Sequence, residues 1–164
     1  LKTKTTILSS NSFKDLAKFI DSYKLALEKG QANGIQKLVE IGKERVIANS
    51  PNISGARLES AIKTDVTPEL GRIYTNDEVI VFNEFGTGIV GSNNSHPEAS
   101  AKGWRYDVNE HGEKGWYYEG DDGEWHWTKG LPASKMFFNT KEELRQIAKD
   151  TMTIELNKSI KDIY

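Results

Sequence analysis

Glu84-Phe85-Gly86-Thr87-Gly88 and the aromatic stretch beyond it, Gly103-Trp104-Arg105-Tyr106, Gly115-Trp116-Tyr117-Tyr118-Glu119 and Trp125-His126-Trp127-Thr128, decide how this chain is organised. The block between Glu84 and Thr140 holds all four tryptophans of the 164 residues. Its aromatic side chains recur at strand spacing, Trp104/Tyr106/Val108, Trp116/Tyr118 and Trp125/Trp127, with Gly, Asp, Asn and Glu in the gaps. Successive strand residues point to opposite faces, so this alternation predicts a short antiparallel meander with one apolar face. Its turns fall at 109–115 and at Gly120-Asp121-Asp122-Gly123, the second a tight Asp/Gly turn. Two- and three-stranded pieces are marginal alone in water. The face must therefore lie against the body of the domain or against another molecule.

Upstream, Ser12-Phe13-Lys14-Asp15 reads as a capping-box start with Ser12 as N-cap, and Leu16, Ile20, Tyr23 and Leu27 follow at helical steps. Gly30 and Gly34 interrupt that pattern, which Ile35, Leu38, Val39, Gly42 and Val46 resume until Ser50-Pro51 stops it. Two helices and one long bent helix both fit. From Leu58 to Asn76 β-branched residues alternate, with Ile62/Thr64/Val66, a turn at Pro68-Glu69-Leu70-Gly71 and a return strand from Arg72 to Thr75, which predicts a hairpin. Val79, Phe82 and Phe85 favour a short helix, although Val79/Val81 also fit a strand. Gly91-Ser92-Asn93-Asn94-Ser95-His96-Pro97 reads as a loop.

Downstream of the aromatic block, Leu131-Pro132-Ala133 and Met136-Phe137-Phe138 precede a helix opened by the capping box Thr140-Lys141-Glu142-Glu143. That helix carries Leu144, Ala148, Met152, Leu156 and Ile160 at steps of four, with Ile147 beside them. Helices and strands are segregated along the chain, so the expected class is α+β, with N-terminal helices and a C-terminal helix on an antiparallel sheet. A single domain over 1–164 is expected, helical at 12–49, with a hairpin and short helix at 58–90, the Trp-rich β excursion at 91–130 and the last helix at 140–160.

With 22 basic against 24 acidic residues, the composition argues against a general nucleic-acid or membrane binder. The absence of cysteine excludes a disulfide framework, a zinc ribbon and a thiol nucleophile. No segment approaches the roughly 20 apolar residues of a membrane helix, and Leu1 to Thr6 contain no apolar signal core, so a soluble protein is expected.

Catalytic and metal-binding patterns are weak. His96, His111 and His126 lie far apart and form no ligand spacing, and His126 should face away from its two tryptophan neighbours. Ser95-His96 are loop neighbours without a nucleophile elbow. Gly86-Thr87-Gly88 lacks the Gly-Lys-Ser/Thr that completes a phosphate loop and reads as a turn. Glu119, Asp121, Asp122 and Glu124 lack the spaced oxygens of a calcium loop and read as solvated hairpin charges. Paired carboxylates for glycoside hydrolysis are a matter of spatial separation, and plentiful Asp and Glu are not evidence for them. None of these patterns marks a catalytic residue, a cofactor site or a metal site. Trp/Tyr faces do bind sugars and choline by stacking and cation-π contact, so a carbohydrate- or choline-binding module is the alternative reading. The units at 103–107 and 115–119 look like two copies of one motif, short of the three or so repeats a solenoid needs.

The order of motifs adds to this: Asn49-Ser50-Pro51 ending a helix, Ser54-Gly55 leading to Leu58-Glu59-Ser60-Ala61-Ile62, then Asn83-Glu84-Phe85-Gly86-Thr87-Gly88, and finally Pro132-Ala133 with Phe137-Phe138-Asn139-Thr140. This arrangement resembles the phage tail-component family, the tail-completion or head-to-tail joining proteins of long-tailed bacteriophages. The His-Pro, Gly-Trp and Trp-His-Trp-Thr block is similar to the excursion of members from phages of Gram-positive hosts. The likeness runs from about Val39 to the C-terminus. It departs at Ser54, where the family usually has Thr, and at Arg57-Leu58, whose order is reversed.

The resemblance implies a non-enzymatic virion component that forms a ring, a hexamer matching the tail tube, at the head-proximal end of the tail. Its partners would be the tail tube protein and a neck or head-completion protein, with DNA passing through without sequence recognition. Assembly would occur in the host bacterial cytoplasm. The residues then expected at interfaces are Trp104, Trp116, Tyr118, Trp125 and Trp127, together with Glu84, Phe85, Gly86, Thr87 and Gly88.

Overall fold

A computed structural model describes residues 10–50, 53–106, 114–120 and 122–163. Pro51, Asp107, Val108, residues 109–113 of the turn expected at 109–115, with His111, and Asp121 lie outside the described residues, as do Leu1 to Thr6. The fold is α+β: helices at both ends of the chain and two small antiparallel sheets of two strands each. No described helix is long and apolar enough to cross a membrane.

Helix α1 (Ser10–Ala48) runs unbroken for 39 residues, so the choice between two helices and one falls to one. Gly30 and Gly34 do not interrupt it, because the C-terminal helix α5 (Met136–Lys161) lies against them. A Cβ on Gly30 would stand 2.8 Å from the Leu156 Cα, and one on Gly34 would meet the Met152 sulfur at 2.5 Å. A glycine costs a helix about 1 kcal/mol relative to alanine, and here that cost is offset by close approach of the partner. Leu156 opposes Gly30 while Leu144 opposes Gly42, so the two helices are antiparallel. Ser12 is not an N-cap: Ser10 and Asn11 are already helical, and a local capping signal does not stop turns that form before it.

Helix α2 (Gly55–Ala61) replaces the start of the expected strand at Leu58. Ser54 caps it by accepting the Arg57 N–H, and the four-residue step from Leu58 to Ile62 buries both on one side. The hairpin then forms as expected from β1 (Lys63–Val66) and β2 (Gly71–Tyr74), pairing Lys63 with Tyr74 and Val66 with Gly71. Helix α3 (Glu78–Phe85) starts at Asp77, whose carboxylate accepts the Val79 N–H at 2.9 Å and binds Arg57 Nε and Nη2 at 3.1 and 3.0 Å. Val46, Leu58, Ile62, Ile80 and Met136 form the fully buried cluster where α1, α2, α3 and α5 converge. Each such burial stabilises by roughly 1.5–3 kcal/mol.

Three expectations change in the second half. Gly88–Asn93, read as turn and loop, is a short helix, α4; it carries no helical period, so nothing local announces it. Trp104, Arg105 and Tyr106 belong to no strand. The described sheet of the excursion is a single hairpin, β3 (Trp116–Glu119) with β4 (Trp125–Thr128), rather than a longer meander. Finally, α5 starts at Met136, not at Thr140, which lies buried inside the helix and accepts a hydrogen bond from Asn49.

Candidate functional site

The start of α5 has no cap of its own. Lys135, in the N-cap position, is left-handed (φ 59°, ψ 31°) and its side chain caps nothing. Glu84, the last acidic residue of α3, supplies the missing acceptor from outside the helix. Its Oε2 accepts the Phe137 N–H at 2.8 Å and its Oε1 the Phe138 N–H at 3.0 Å. Orphan amides at a helix N-terminus favour an anion through both hydrogen bonding and the helix dipole. The same Oε1 lies 2.9 Å from His96 Nε2, and both side chains are buried. His96 Nδ1 accepts the Glu98 N–H at 3.0 Å, so Nε2 carries the ring proton and donates it to Glu84. The carboxylate thus ties together α3, the turn after α4 and α5.

The next four residues extend this clamp. The Phe85 ring lies between Trp104, stacked at 4.9 Å, and His96 at 4.4 Å. Trp104 Nε1–H donates to the Gly86 carbonyl at 3.0 Å. Thr87 N–H donates to the Leu131 carbonyl at 2.9 Å, and the Leu131 N–H returns to Thr87. Gly88 N–H donates to the Tyr106 carbonyl. The chain therefore leaves and re-enters the body through one point, where backbones nearly touch. A Cβ on Gly130 (φ 107°) would sit 1.9 Å from the Thr87 carbonyl oxygen, which is why only glycine fits there. Lys141 pairs with Glu98 beside the clamp, and its hydrogen bond holds the Glu98 carboxyl below its usual range.

The hairpin has two different faces. Its register pairs Trp116 with Thr128 and Tyr118 with His126, and Tyr117 with Trp127 and Glu119 with Trp125. Residues directly opposite share a face, so Trp116/Tyr118 and Trp125/Trp127 point to opposite sides. The single apolar face expected from sequence is corrected accordingly: spacing along a strand does not say how two strands register. The inner face, with Trp116 and Tyr118, closes a cleft of about 360 Å³ against Val79 and Phe82 of α3, Tyr106 and Leu131. The outer face leaves Tyr117, Trp125 and Trp127 exposed at 65, 68 and 50%. Lys129 Nζ stands 5.7 Å over the Trp127 ring. His126 bonds to Asp122, which lies below its ordinary carboxylate range for that reason first.

The ten residues read as interface candidates therefore fall into two groups. Glu84, Gly86, Thr87 and Gly88 are buried, and Phe85, Trp104 and Trp116 are partly buried around them. Tyr118, Trp125 and Trp127 are exposed. His96, Gly130 and Leu131 are members of the clamp to which the sequence reading gave no such role. Their only signal is chemical, a histidine and a glycine in polar loops, without a period to mark them. Among the described residues no group of three His, Cys, Asp or Glu side chains converges to hold a metal ion. The chain finds no match among protein-family models, curated proteins or solved structures.

Proposed function

We propose that this protein is a non-enzymatic structural subunit of a long-tailed bacteriophage virion, forming a ring at the head-proximal end of the tail. It acts in tail completion or head-to-tail joining, in contact with the tail tube protein and a neck or head-completion protein. The observation that carries this reading is the outward aromatic face of Tyr117, Trp125 and Trp127 on a hairpin clamped at its base. Large aromatic residues are the commonest anchors of protein interfaces, and truncating a hot spot costs about 2 kcal/mol or more of binding. A clamp that fixes the hairpin to α3 and α5 presents those anchors at little entropic cost on docking. Glu84 to Gly88, which with the tryptophan block is the most specific part of the family resemblance, forms the clamp. DNA would thread the ring without sequence recognition, which suits a chain of formal charge −2, since phosphate binding grows with basic contacts.

The test is a combined Trp125→Ala and Trp127→Ala change, followed by negative-stain imaging of the protein mixed with tail tubes. The variant should keep its circular dichroism spectrum and fail to cap the tubes. Retention of a monomeric wild-type protein on choline or glycan resin, without tube capping, would replace this reading with the carbohydrate- or choline-binding module.

A further inference from the structure

The β1–β2 hairpin lies on α1, and the outer edge of β1 is open. Gly71 of β2 packs at Val39 and Ile73 at Gly42, whereas all four residues of β1 are exposed. Thr67 N–H donates to the Leu70 carbonyl at 2.8 Å, and bonded and unbonded pairs alternate along an antiparallel ladder. Lys63 and Asp65 therefore exchange bonds with Tyr74 and Arg72, while the N–H and C=O of Thr64 and Val66 point away from β2. No other described backbone group bonds to them. Such a row of groups is a template for one more strand.

The space beside this edge has the size and lining for a strand. Thr64 and Val66 turn their side chains to α1 and, with Gln36, Val39 and Ile47, border a groove of about 770 Å³. Val66 pairs with Gly71 and Thr64 with Ile73, which pack at Val39 and Gly42 in turn, so β1 runs along the helix in the opposite sense. From Gln36 to Ile47 α1 rises about 16 Å at 1.5 Å per residue, the length of about five extended residues. The charges lining the groove are Glu40, Glu44 and Glu59 against Lys43. Lys43 reaches Glu59 at 3.6 Å, and Lys37 reaches Glu40 from the rim at 3.5 Å, which leaves Glu44 as the carboxylate in excess. Lys63, Asp65 and Arg72 belong to the other face of the sheet by alternation.

We propose that β1 takes an extended segment of a partner protein as a third strand, with Lys or Arg at the two positions opposite Thr64 and Val66. The open backbone groups select an extended main chain, which offers donors and acceptors at the same spacing. Residues directly opposite share a face, so the partner's two basic side chains enter the groove. Their aliphatic stems cover Val39, Ile47 and Val66, and their charged ends meet Glu40, Glu44 and Glu59. An acidic residue at either position is repelled. This edge is separate from the clamp and the aromatic hairpin, and the proposal does not rest on the virion role.

The probe is a fluorescent peptide, acetyl-Thr-Lys-Val-Lys-Thr-amide, titrated with the full chain and followed by anisotropy. Saturable binding is expected, weakened about tenfold or more when the two lysine nitrogens of the peptide are methylated, which removes donors without touching the protein. Exchange of both lysines for glutamate should weaken it as much. Glu44→Lys in the protein should do the same with the helical dichroism unchanged, whereas Glu142→Lys, an equal change of charge on α5, should leave the affinity within about twofold. A methylated peptide that binds as tightly as its parent overturns the added strand. Equal weakening by Glu44→Lys and Glu142→Lys overturns the groove as the site, and no saturation of the parent peptide below about 1 mM overturns the proposal altogether.

Discussion

The clamp at Glu84–Gly88 and the outer face of the hairpin are both rich in the residues that mark binding surfaces, yet they do opposite jobs. In the clamp every polar group is turned inward: the Glu84 carboxylate takes three donors, and the Gly86 and Thr87 backbones are bonded to Trp104 and Leu131. On the outer face Trp125 and Trp127 are largely exposed and contribute little to the body. The difference teaches that an aromatic cluster cannot be assigned by composition. Register and burial separate aromatic side chains that anchor the fold from those left exposed, even a few residues apart.

If that division is right, substitutions in the two regions should separate stability from assembly. The largest loss is expected for Glu84→Ala, which strands two helix amides and the buried His96 Nε2–H together. Unsatisfied buried groups cost about 1–3 kcal/mol each and are not fully additive, so a fall of about 3 kcal/mol is expected in urea unfolding. Little change in the urea midpoint would mean that the clamp does not hold the fold. Gly130→Ala should follow at about 1–3 kcal/mol, because the new methyl meets the Thr87 carbonyl and the backbone must give. Its signature is altered tryptophan fluorescence as Trp104 and Trp116 lose their seats, and an unaltered spectrum would break the idea of a tight re-entry point.

A smaller, pH-linked effect belongs to the body rather than to either aromatic region. The hydrogen bond from Arg57, first among its causes, holds the Asp77 carboxyl below its ordinary 3.8. A depressed folded pKa means that the contribution is complete above the unfolded value and is lost as pH falls through the folded one. The stability difference between the wild type and Asp77→Asn should therefore be constant near neutrality and shrink below about pH 3.8. A difference that stays flat through that acid range would show that the pair contributes nothing to folding. The smallest change in stability, within about 0.5 kcal/mol, is expected for the Trp125 and Trp127 double substitution, since exposed side chains away from special features have effects of that size. A large fall in its thermal midpoint would place those rings in the core and erase the contrast.

Much of the helical frame was legible because it obeys local rules. The stripes of α1 and α5 repeat at helical steps, and Pro68 to Gly71 announce the β1–β2 turn. Other signals were ambiguous for physical reasons. A glycine can break a helix or admit a neighbour, and only the presence of Leu156 and Met152 decides which holds at Gly30 and Gly34. Thr140 to Glu143 form a plausible capping box, but the helix starts one turn earlier because a carboxylate 53 positions away reaches its first amides. His96 looked like a loop residue because its partners arrive from α3 and α5.

By itself the sequence determined the α+β class, the amphipathic helical segments at both ends of the chain, the first hairpin and the concentration of tryptophan in one excursion. These follow from periodicity and turn chemistry acting over a few neighbouring residues. Tertiary structure alone decided that Glu84 caps α5, that Gly130 passes against Thr87, and that Trp116/Tyr118 and Trp125/Trp127 face opposite ways. Each depends on where distant segments meet and in what register, and no local propensity carries that information.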